Sequence, residues 1–513
     1  MKRFINCRAY AFDPVARSYR RCDGFVIDGG RFVTLDAASA GATVDVVDLA
    51  GATVVPAFAD CHLHLTDTGY TVGARDLRDV RDASDFAERV ATLPDERLIY
   101  ASNYDDATWP DGVANAAPLE RAFPDRFAML VRVDGHSSLV NRRTLGELGL
   151  EPSLDGIELG ADGEPTGRLF LDANWTAQER FLARILPQQR RDADVRAHSL
   201  ALANGAVHLH VQLCALGSRE AYASAIADLQ WLGPAKWHPK ICERDSALAE
   251  SLGLPYVGGD IFLDGSLGSG TAALHAPYAD RAGKGKLTFS DADVTQFFEE
   301  SERLGVSAGV HAIGDRAIEQ CLAAWERVLG GKPSPRCRHF IEHFEVATPE
   351  QIARAARLGI YLSMQPQFDA TWGAPGGMYE QRLGTERAHS MNALGSALRA
   401  GAVLCGGDDS PVCALSPLRG MAAACEHYNV AERLTPFEVL TMYTYDAARL
   451  GHAETTTGAI KAGYAADFVV LDRDPLDGAP FSETRVLETW LDGERVFALD
   501  APRSDQASLN GRP

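Results

Sequence analysis

The stretch VVPAFADCHLHL, residues 54–65, decides the fold of this 513-residue chain. Its small and β-branched apolar residues are typical of a strand entering a buried parallel sheet. Successive side chains of a strand point to opposite faces, so His62 and His64, two positions apart, face the same side. The stretch therefore predicts a buried strand that ends in a pair of imidazoles.

Strand-like and helical stretches alternate from this point to about residue 450. Two helical stretches are DADVTQFFEESERLG (291–305) and TPEQIARAARLG (348–359). The strand-like runs are RFAMLVRV (126–133), WHPKICER (237–244), GGDIFLDG (258–265), GVSAGVHA (305–312), RHFIEHF (338–344), GIYLSMQP (359–366) and GAVLCGGD (401–408). Such alternation predicts βα units around a parallel sheet, and the chain length suits one large α/β barrel with a smaller module.

At both ends of the chain the sequence pattern changes and predicts short strands separated by turns. FVIDGGRFVTLD (25–36) alternates apolar and polar residues around a Gly-Gly turn, which predicts a hairpin. The same pattern of short strands and turns returns after the predicted barrel, in TGAIKAGYAADFVVLDRDP (457–475) and RVLETWLDGERVF (485–497). We expect these terminal strands to pair in one composite β-domain, and residues 501–513 to form a flexible polar tail.

Composition narrows the class of protein and its partners. The 50 basic and 70 acidic residues give a net charge of −20, which disfavours nucleic acid and anionic membranes as partners. The ten cysteines include no C-x-x-C pair, so reduced thiols in the cytosol are expected. No run has the length of a signal-peptide core or of a membrane span. These features predict a soluble, cytoplasmic protein.

Three more residues stand at the carboxyl ends of predicted strands: His311 in GVSAGVHA, His343 in RHFIEHF and Asp409 directly after GAVLCGGD. Barrel enzymes keep their active sites at that end of the strands. Each residue taken singly is better explained as a core or loop residue than as a ligand. Together with the first two histidines they predict a divalent-metal site, because imidazole and carboxylate are the usual ligands of zinc and similar ions.

A metal site of this kind predicts hydrolytic chemistry. A bound divalent ion lowers the pKa of coordinated water towards about 7, from about 16 in bulk water. A carboxylate beside that water can accept its proton and pass it to the leaving group. We assign this role to Asp409.

The sequence resembles the amidohydrolase superfamily, specifically the amidohydrolase-3 branch that includes YtcJ-like proteins and N-substituted formamide deformylase. The resemblance covers nearly the whole chain. It rests on VVPAFADCHLHL, VDGHSSLVNRRTL (133–145), FLDGSLGSGTAAL (262–274), GVHAIGDRAIEQ (309–320), RHFIEHFE (338–345), SMQPQ (363–367), GGDDSPV (406–412) and TGAIKAGYAADFVVLDRDP. It implies a (β/α)8 TIM barrel over residues 56–454 with an insertion at about 70–200, and a composite β-sandwich from residues 1–55 and 455–500.

The resemblance also implies an enzyme that hydrolyses carbon–nitrogen bonds other than peptide bonds and forms a homo-oligomer. The implied cofactor is one or two divalent ions per chain, zinc first and iron, manganese or cobalt as alternatives. Matching the motifs assigns His62, His64 and Asp409 to one ion. It assigns His311 and His343 to a second ion.

One position departs from the family pattern. Relatives usually carry a carboxylated lysine that bridges both ions, in a pattern like V-K-x-F-x-D-G. Here GGDIFLDG places Asp260 at that position, and the nearest lysines, Lys240 and Lys284, lie outside the motif.

Three alternatives follow for Asp260. It bridges two ions, or it leaves a site for one ion, or it is a solvated loop carboxylate. We prefer the one-ion alternative, in which His343 orients water or substrate and the ligands are His62, His64, His311 and Asp409.

Six residues are candidates for substrate contact. The resemblance places the first two near the substrate, the next two belong to the DGSLGS loop (264–269), and the arginine could pair with a substrate carboxylate or form a structural salt bridge. The last stands where relatives often have histidine. The candidates are Trp109, His136, Asp264, Ser266, Arg316 and Phe368.

The leading hypothesis is a hydrolase of an amide, N-formyl, cyclic amide or carbamate-like bond in a small, partly apolar substrate. The main alternative is a mononuclear deaminase of a heteroaromatic ring, which released ammonia would identify. A metal-dependent lyase or decarboxylase is a further alternative. A non-catalytic scaffold of the same fold would be identified by its lack of metal.

Overall fold

A computed structural model describes residues 1–39, 45–72, 75–107, 109–110, 113–151, 153–214 and 216–499. The predicted tail, 501–513, lies outside these residues. The strands are β1 (Lys2–Asp13), β2 (Ser18–Asp28), β3 (Arg31–Thr34), β4 (Asp45–Asp48), β5 (Thr53–Pro56), β6 (Phe58–Leu63), β7 (Leu98–Tyr104), β8 (Phe127–Arg132), β9 (Ser137–Val140), β10 (Ile157–Leu159), β11 (Pro165–Phe170), β12 (Ala206–Leu213), β13 (Lys236–Ile241), β14 (Tyr256–Phe262), β15 (Ser307–Ala312), β16 (Phe340–His343), β17 (Tyr361–Met364), β18 (Val403–Gly406), β19 (Phe468–Leu471), β20 (Val486–Leu491) and β21 (Glu494–Ala498).

Helices follow most of the strands, which makes the fold a mixed α/β one. They are α1 (Leu65–Thr71), α2 (Ala83–Ala91), α3 (Ala117–Ala122), α4 (Arg142–Leu148), α5 (Leu171–Leu182), α6 (Pro187–Ala203), α7 (Arg219–Trp231), α8 (Ser246–Ser251), α9 (Asp291–Leu304), α10 (Asp315–Leu329), α11 (Pro349–Leu358), α12 (Pro366–Trp372), α13 (Met378–Leu383), α14 (Thr385–His389), α15 (Leu394–Arg399), α16 (Pro417–Glu426), α17 (Pro436–Met442) and α18 (Tyr445–Leu450). No helix of the described ranges combines the length and apolar character needed to cross a membrane.

The local sequence explains where these helices begin and end. Before α11, Thr348 and Gln351 form a reciprocal capping box, and proline occupies the first helical turn. The helix stops at Gly359, whose φ of 67° is the left-handed conformation that glycine adopts without a steric cost. Ile352 and Leu358 lie on its buried face, so the predicted amphipathic pattern packs against the core.

Eight parallel strands carry the candidate site. They pair in the orders β13-β12-β6 and β14-β15-β16-β17-β18. The segment after β18 joins the end of β6, since Asp409 N donates to the carbonyl of His62 at 2.9 Å and His64 N donates to the carbonyl of Ser410 at 3.0 Å. The carboxyl ends of the first and last of these strands are therefore adjacent.

Two further sheets flank the parallel strands. The segment between β6 and β12 contains its own sheet in the order β10-β11-β9-β8-β7, within the range predicted for the insertion. The strands of both chain ends form a single eight-stranded sheet, in the order β21-β20-β19-β5-β1-β2-β3 with β4 beside β1. The described terminal strands thus share one sheet, and the division of the chain into a barrel and a β-sandwich stays a prediction.

The terminal sheet is held by an aromatic cluster that joins the two ends of the chain. The rings of Phe4 and Phe25 stack at 4.7 Å between centroids. Trp490, from the C-terminal strands, lies 5.2 Å from Phe4 and 5.3 Å from Phe468. Because these rings are buried together, the N-terminal strands depend on the C-terminal ones for their packing.

We expect Trp490→Ala to lower the free energy of unfolding by about 3–5 kcal/mol, because it opens a cavity inside this cluster. Trp231→Ala is the matched control, since Trp231 is 68% exposed, and we expect it to cost about 0.5 kcal/mol or less. Denaturant unfolding followed by circular dichroism measures both. Equal midpoints for the two variants would contradict the joining of the chain ends through this cluster.

Candidate metal centre

The structure brings all six predicted ligand residues together at the carboxyl ends of the parallel strands. His62 and His64 come from β6 and the residue after it, and their rings lie 5.3 Å apart. His343 lies 5.0 Å from His62 and 4.5 Å from His311. This convergence depends on the parallel strands, which place residues distant in sequence at one edge.

Asp260 lies between two pairs of histidines. Its Oδ2 atom is 3.2 Å from Nε2 of His62 and 3.0 Å from Nε2 of His64. Its Oδ1 atom is 3.8 Å from Nδ1 of His311 and 3.8 Å from Nε2 of His343. Asp260 belongs to β14 and is 4% exposed, so its interpretation as a solvated loop carboxylate is wrong.

Four donor atoms, from His62, His64, Asp260 and Asp409, have separations close to those of a tetrahedral metal site. Asp409 Oδ1 lies 3.4 Å from Nε2 of His62 and 3.2 Å from Nε2 of His64, and Asp260 Oδ2 completes the set. Four ligands about 2.1 Å from a central ion are separated by about 3.4 Å from one another. The four separations between these imidazole nitrogens and carboxylate oxygens, 3.0–3.4 Å, are therefore close to those expected around one divalent ion.

The donor atoms that face the centre lack other partners. His62 Nε2, Asp260 Oδ1, His311 Nδ1 and Asp409 Oδ1 are buried and make no hydrogen bond. Buried polar atoms in folded proteins almost always have a partner, so a cluster of unpaired ones needs an explanation. Cations bound on the two sides of Asp260 would give these atoms partners.

Polar contacts on the far side of three rings orient them towards the centre. His343 Nδ1 lies 2.9 Å from Gln365 Oε1, and His311 Nε2 lies 3.3 Å from the carbonyl of Gly265. Because these two oxygens accept a ring proton, the opposite nitrogens of His343 and His311 keep their lone pairs for a metal. His62 Nδ1 lies 2.9 Å from Glu342 Oε2 and 3.1 Å from the Gln212 amide nitrogen, which together hold its Nε2 atom towards the centre.

A buried ion pair lies behind the first imidazole. Lys240 is 0% exposed, and its Nζ donates to Glu342 Oε1 at 2.6 Å and to the carbonyl of Cys61 at 2.8 Å. Burial raises the pKa of Glu342, but Lys240 and His62 outweigh it and lower that pKa to about 2. Glu342 therefore stays ionised and holds His62 in one orientation.

The electrostatics of the centre favour a cation. Burial disfavours a charge on His62, yet the carboxylates of Asp260, Glu342 and Asp409 raise the pKa of His62 well above its ordinary value. Burial raises the pKa of Asp260, but its histidine neighbours outweigh burial and lower that pKa well below its ordinary value. The carboxylates therefore favour positive charge at this position, which a metal ion would supply.

Two candidate ligands have a strained backbone. His343 has a φ of 73° and Asp409 a φ of 52°, in the left-handed region that residues other than glycine rarely adopt. Each such residue costs on the order of 1–3 kcal/mol, and such strain is typical of functional sites. The strain turns both side chains towards the centre at the point where the chain leaves its strand.

Of the predicted substrate contacts, His136 and Phe368 lie beside the centre. The ring of His136 is 5.2 Å from that of His311. Phe368 stacks near His343 at 6.0 Å. Both are buried, so they line the space next to the candidate ligands.

Side chains of the DGSLGS loop make hydrogen bonds with protein groups around the centre. Asp264 accepts hydrogen bonds from the backbone N of Ala273, Ile313 and Gly314 at 2.8–3.1 Å. Ser266 donates to Asp134 at 2.6 Å. These contacts hold the loop against the segment that follows His311, and they use the polar atoms that were predicted to bind substrate.

Two predicted contacts lie elsewhere. Trp109 packs against Phe86 and Tyr104 in the core of the insertion, with centroid distances of 5.5 and 6.5 Å. Arg316 is exposed in the first turn of α10. The described contacts of these two side chains include none with the six candidate ligands.

Sequence reasoning missed Lys240, Glu342 and the aromatic pair formed by Trp175 and Phe262. The last two rings stack at 4.4 Å, and each lies within 5.2 Å of His136. Of the two lysines in the strand KWHPKI, Lys240 lies in its buried half, and a lysine within such an apolar run was a signal for a buried ion pair. The stacking of Trp175 has no such signal, because it brings the insertion onto β14.

The comparisons with known proteins agree with this geometry. A family model described as Amidohydro_3, amidohydrolase family, matches residues 45–497. "Putative amidohydrolase YtcJ" of Bacillus subtilis (strain 168) is 30% identical over 519 residues, which cover 93% of this chain and 94% of the relative. N-substituted formamide deformylase of Arthrobacter pascens is 26% identical, covering 91% of this chain and 93% of the relative.

A solved structure extends the similarity to three dimensions. An uncharacterized metal-dependent hydrolase from Pyrococcus furiosus matches with a TM-score of 0.73 and 27% sequence identity. The match covers 93% of this chain and 99% of that one. Fold and sequence therefore point to the same set of relatives over almost the full length.

We expect Lys240→Met to lower the free energy of unfolding of the chelator-treated protein by about 3–5 kcal/mol, because it leaves Glu342 as an unpaired buried charge. Lys236→Met is the matched control on the same strand. Lys236 pairs with Asp492 at 2.6 Å but is partly exposed, so we expect a loss of about 1 kcal/mol or less. Denaturant unfolding measures both variants.

The double variant Lys240→Met/Glu342→Gln separates charge from packing. We expect it to be more stable than Lys240→Met alone, since no unpaired carboxylate remains. A double variant that is less stable than the single one would show that the pair does not act through its charge.

Proposed function

The chain belongs to the amidohydrolase family, and from this premise we propose that it is a metal-dependent hydrolase of a carbon–nitrogen bond. The observation that supports this most is the group of buried, unpaired donor atoms around Asp260. The substrate class we propose is a small, partly apolar molecule with an amide, N-formyl, cyclic amide or carbamate-like bond.

We propose two metal positions that share Asp260, with the eight parallel strands closed as a (β/α)8 barrel around them. His62, His64 and Asp409 complete the first position, and His311 and His343 the second. The separate directions of the two Asp260 oxygens support this arrangement over the single ion that the sequence favoured. The nitrogen and oxygen donors, at tetrahedral spacing in the first position, suit zinc.

A divalent ion bound there supplies Lewis acidity, polarising the substrate carbonyl and acidifying water. The chain's own residues supply orientation and proton transfer. Asp409, placed by its left-handed backbone at the edge of the first position, accepts a proton from the attacking water. It then returns that proton to the leaving nitrogen, as a general base followed by a general acid.

A small cavity lies next to His136, beside the candidate centre. It measures about 60 Å³ and is lined by His136, Trp175 and Asp264 among others, but by none of the six candidate ligands. Pockets for drug-sized ligands measure about 300–1,000 Å³, so this cavity suits a small group. Trp175 is its aromatic wall, while Phe262 stacks on Trp175 and Phe368 stacks near His343 outside the cavity lining.

Activity on a chosen panel tests the proposal. Purified protein is assayed with N-formyl amines, cyclic amides, carbamates and aminated heteroaromatic rings, before and after chelation and after zinc is restored. We expect release of an amine with formate, a carboxylate or carbon dioxide, lost on chelation and regained with zinc. Ammonia from the rings alone would instead identify a deaminase, and activity unaffected by chelation would contradict the proposal.

On the best substrate of that panel we expect Asp409→Asn, loaded to the wild-type metal content, to lower kcat by about 10²-fold or more, because it removes the proton carrier. Asp291→Asn, at the exposed start of α9, is the control and should keep the wild-type kcat. Turnover by Asp409→Asn at the native rate would show that another group moves the proton.

A further inference from the structure

Two cysteines lie side by side at the edge of the candidate metal centre. The Sγ atoms of Cys214 and Cys242 are 2.7 Å apart, with the Cys214 thiol donating to Cys242. The Cys214 sulfur also lies within 4.8 Å of the ligand atoms of His64 and Asp260. The hydrolytic reaction proposed above uses neither thiol.

The backbone holds the two cysteines in the right relation for a covalent bond. They follow directly after the register partners Leu213 and Ile241 of β12 and β13, and Cys242 N donates to the carbonyl of Leu213 at 2.9 Å. Neighbouring strands lie about 4.8 Å apart. Disulfides need Cα atoms about 4.4–6.8 Å apart, so this pair can be bridged without moving the strands.

Access distinguishes this pair from the other cysteines. Cys214, Cys242 and Cys425 are half-buried, whereas the remaining cysteines are buried. Cys61 and Cys405 also neighbour each other, but both are fully buried. Cys214 and Cys242 are therefore more accessible to a small oxidant than Cys61 and Cys405 are.

We propose that Cys214 and Cys242 are a redox modification site, which a hydroperoxide converts to a disulfide and a small dithiol reduces again. The sulfur of Cys242, which accepts the Cys214 hydrogen, attacks one peroxide oxygen. A sulfur–oxygen bond forms, the oxygen–oxygen bond breaks, and the other oxygen leaves as water or alcohol with the Cys242 proton. Cys242 is then a sulfenic acid.

The second step closes the bridge. The sulfur of Cys214 attacks the sulfur of Cys242, the sulfur–sulfur bond forms, and the hydroxyl group leaves as water with the Cys214 proton. Two thiols are oxidised by two electrons in total, and one hydroperoxide is reduced. The bridge bonds the Cys214 sulfur to Cys242, so this sulfur is no longer a free thiol beside His64 and Asp260.

Peptide mapping of the full chain tests this proposal without any activity assay. The protein as purified is treated with dilute hydrogen peroxide, blocked with an alkylating reagent and digested with trypsin. We expect peptide 197–219, which contains Cys214, to be linked to peptide 241–244, which contains Cys242. We also expect two fewer free thiols per chain, restored by dithiothreitol.

Variants sharpen the test. Cys214→Ser and Cys242→Ser should each abolish the linked peptide, while the control Cys425→Ser should leave it unchanged. The proposal is overturned if the two peptides stay unlinked in peroxide-treated wild type, if they carry only sulfinic or sulfonic acid, or if a different pair links first. Loss of hydrolytic activity in the panel assay would leave these outcomes unaffected, so the two proposals fail separately.

Discussion

The buried carboxylate of Asp260 is the constraint on which the rest of the centre depends. It lies among four imidazoles and close to Asp409, and it is almost fully buried. Carboxylates in such a place are unstable unless positive charge is near them. Lys240 pairs with Glu342 behind the centre, and the carboxylates of Asp260, Glu342 and Asp409 together outweigh burial and raise the pKa of His62.

The fold meets this constraint by placing the candidate ligands, which come from separate strands, together at the carboxyl ends of the parallel strands. The ladder from β14 to β16 aligns Asp260, His311 and His343, and the backbone bonds between His62 and Asp409 bring β6 next to the segment after β18. The left-handed backbone at His343 and Asp409 then turns these two side chains towards the centre. The strain is sustained because the surrounding strands and loops leave these residues no alternative path.

The sequence was enough to predict which residues converge at the candidate centre and the alternation of strands and helices. Both are local properties: a strand period of two for His62 and His64, and apolar runs ending in polar residues for the others. The pairing of Lys240 with Glu342 is not local, because about a hundred residues separate them in the chain. For the same reason the stacking of Trp175 and the packing of Trp109 against Phe86 and Tyr104 were not foreseen, since nothing local reveals how the segment between β6 and β12 folds onto the parallel strands.

Metal analysis by plasma mass spectrometry tests the central claim most directly. Wild type and Asp260→Ala are both purified without added metal. If Asp260 joins two metal positions, wild type holds close to two ions per chain and the variant holds one or none. Equal metal content in the two proteins, at one ion or at two, would contradict the shared role of Asp260.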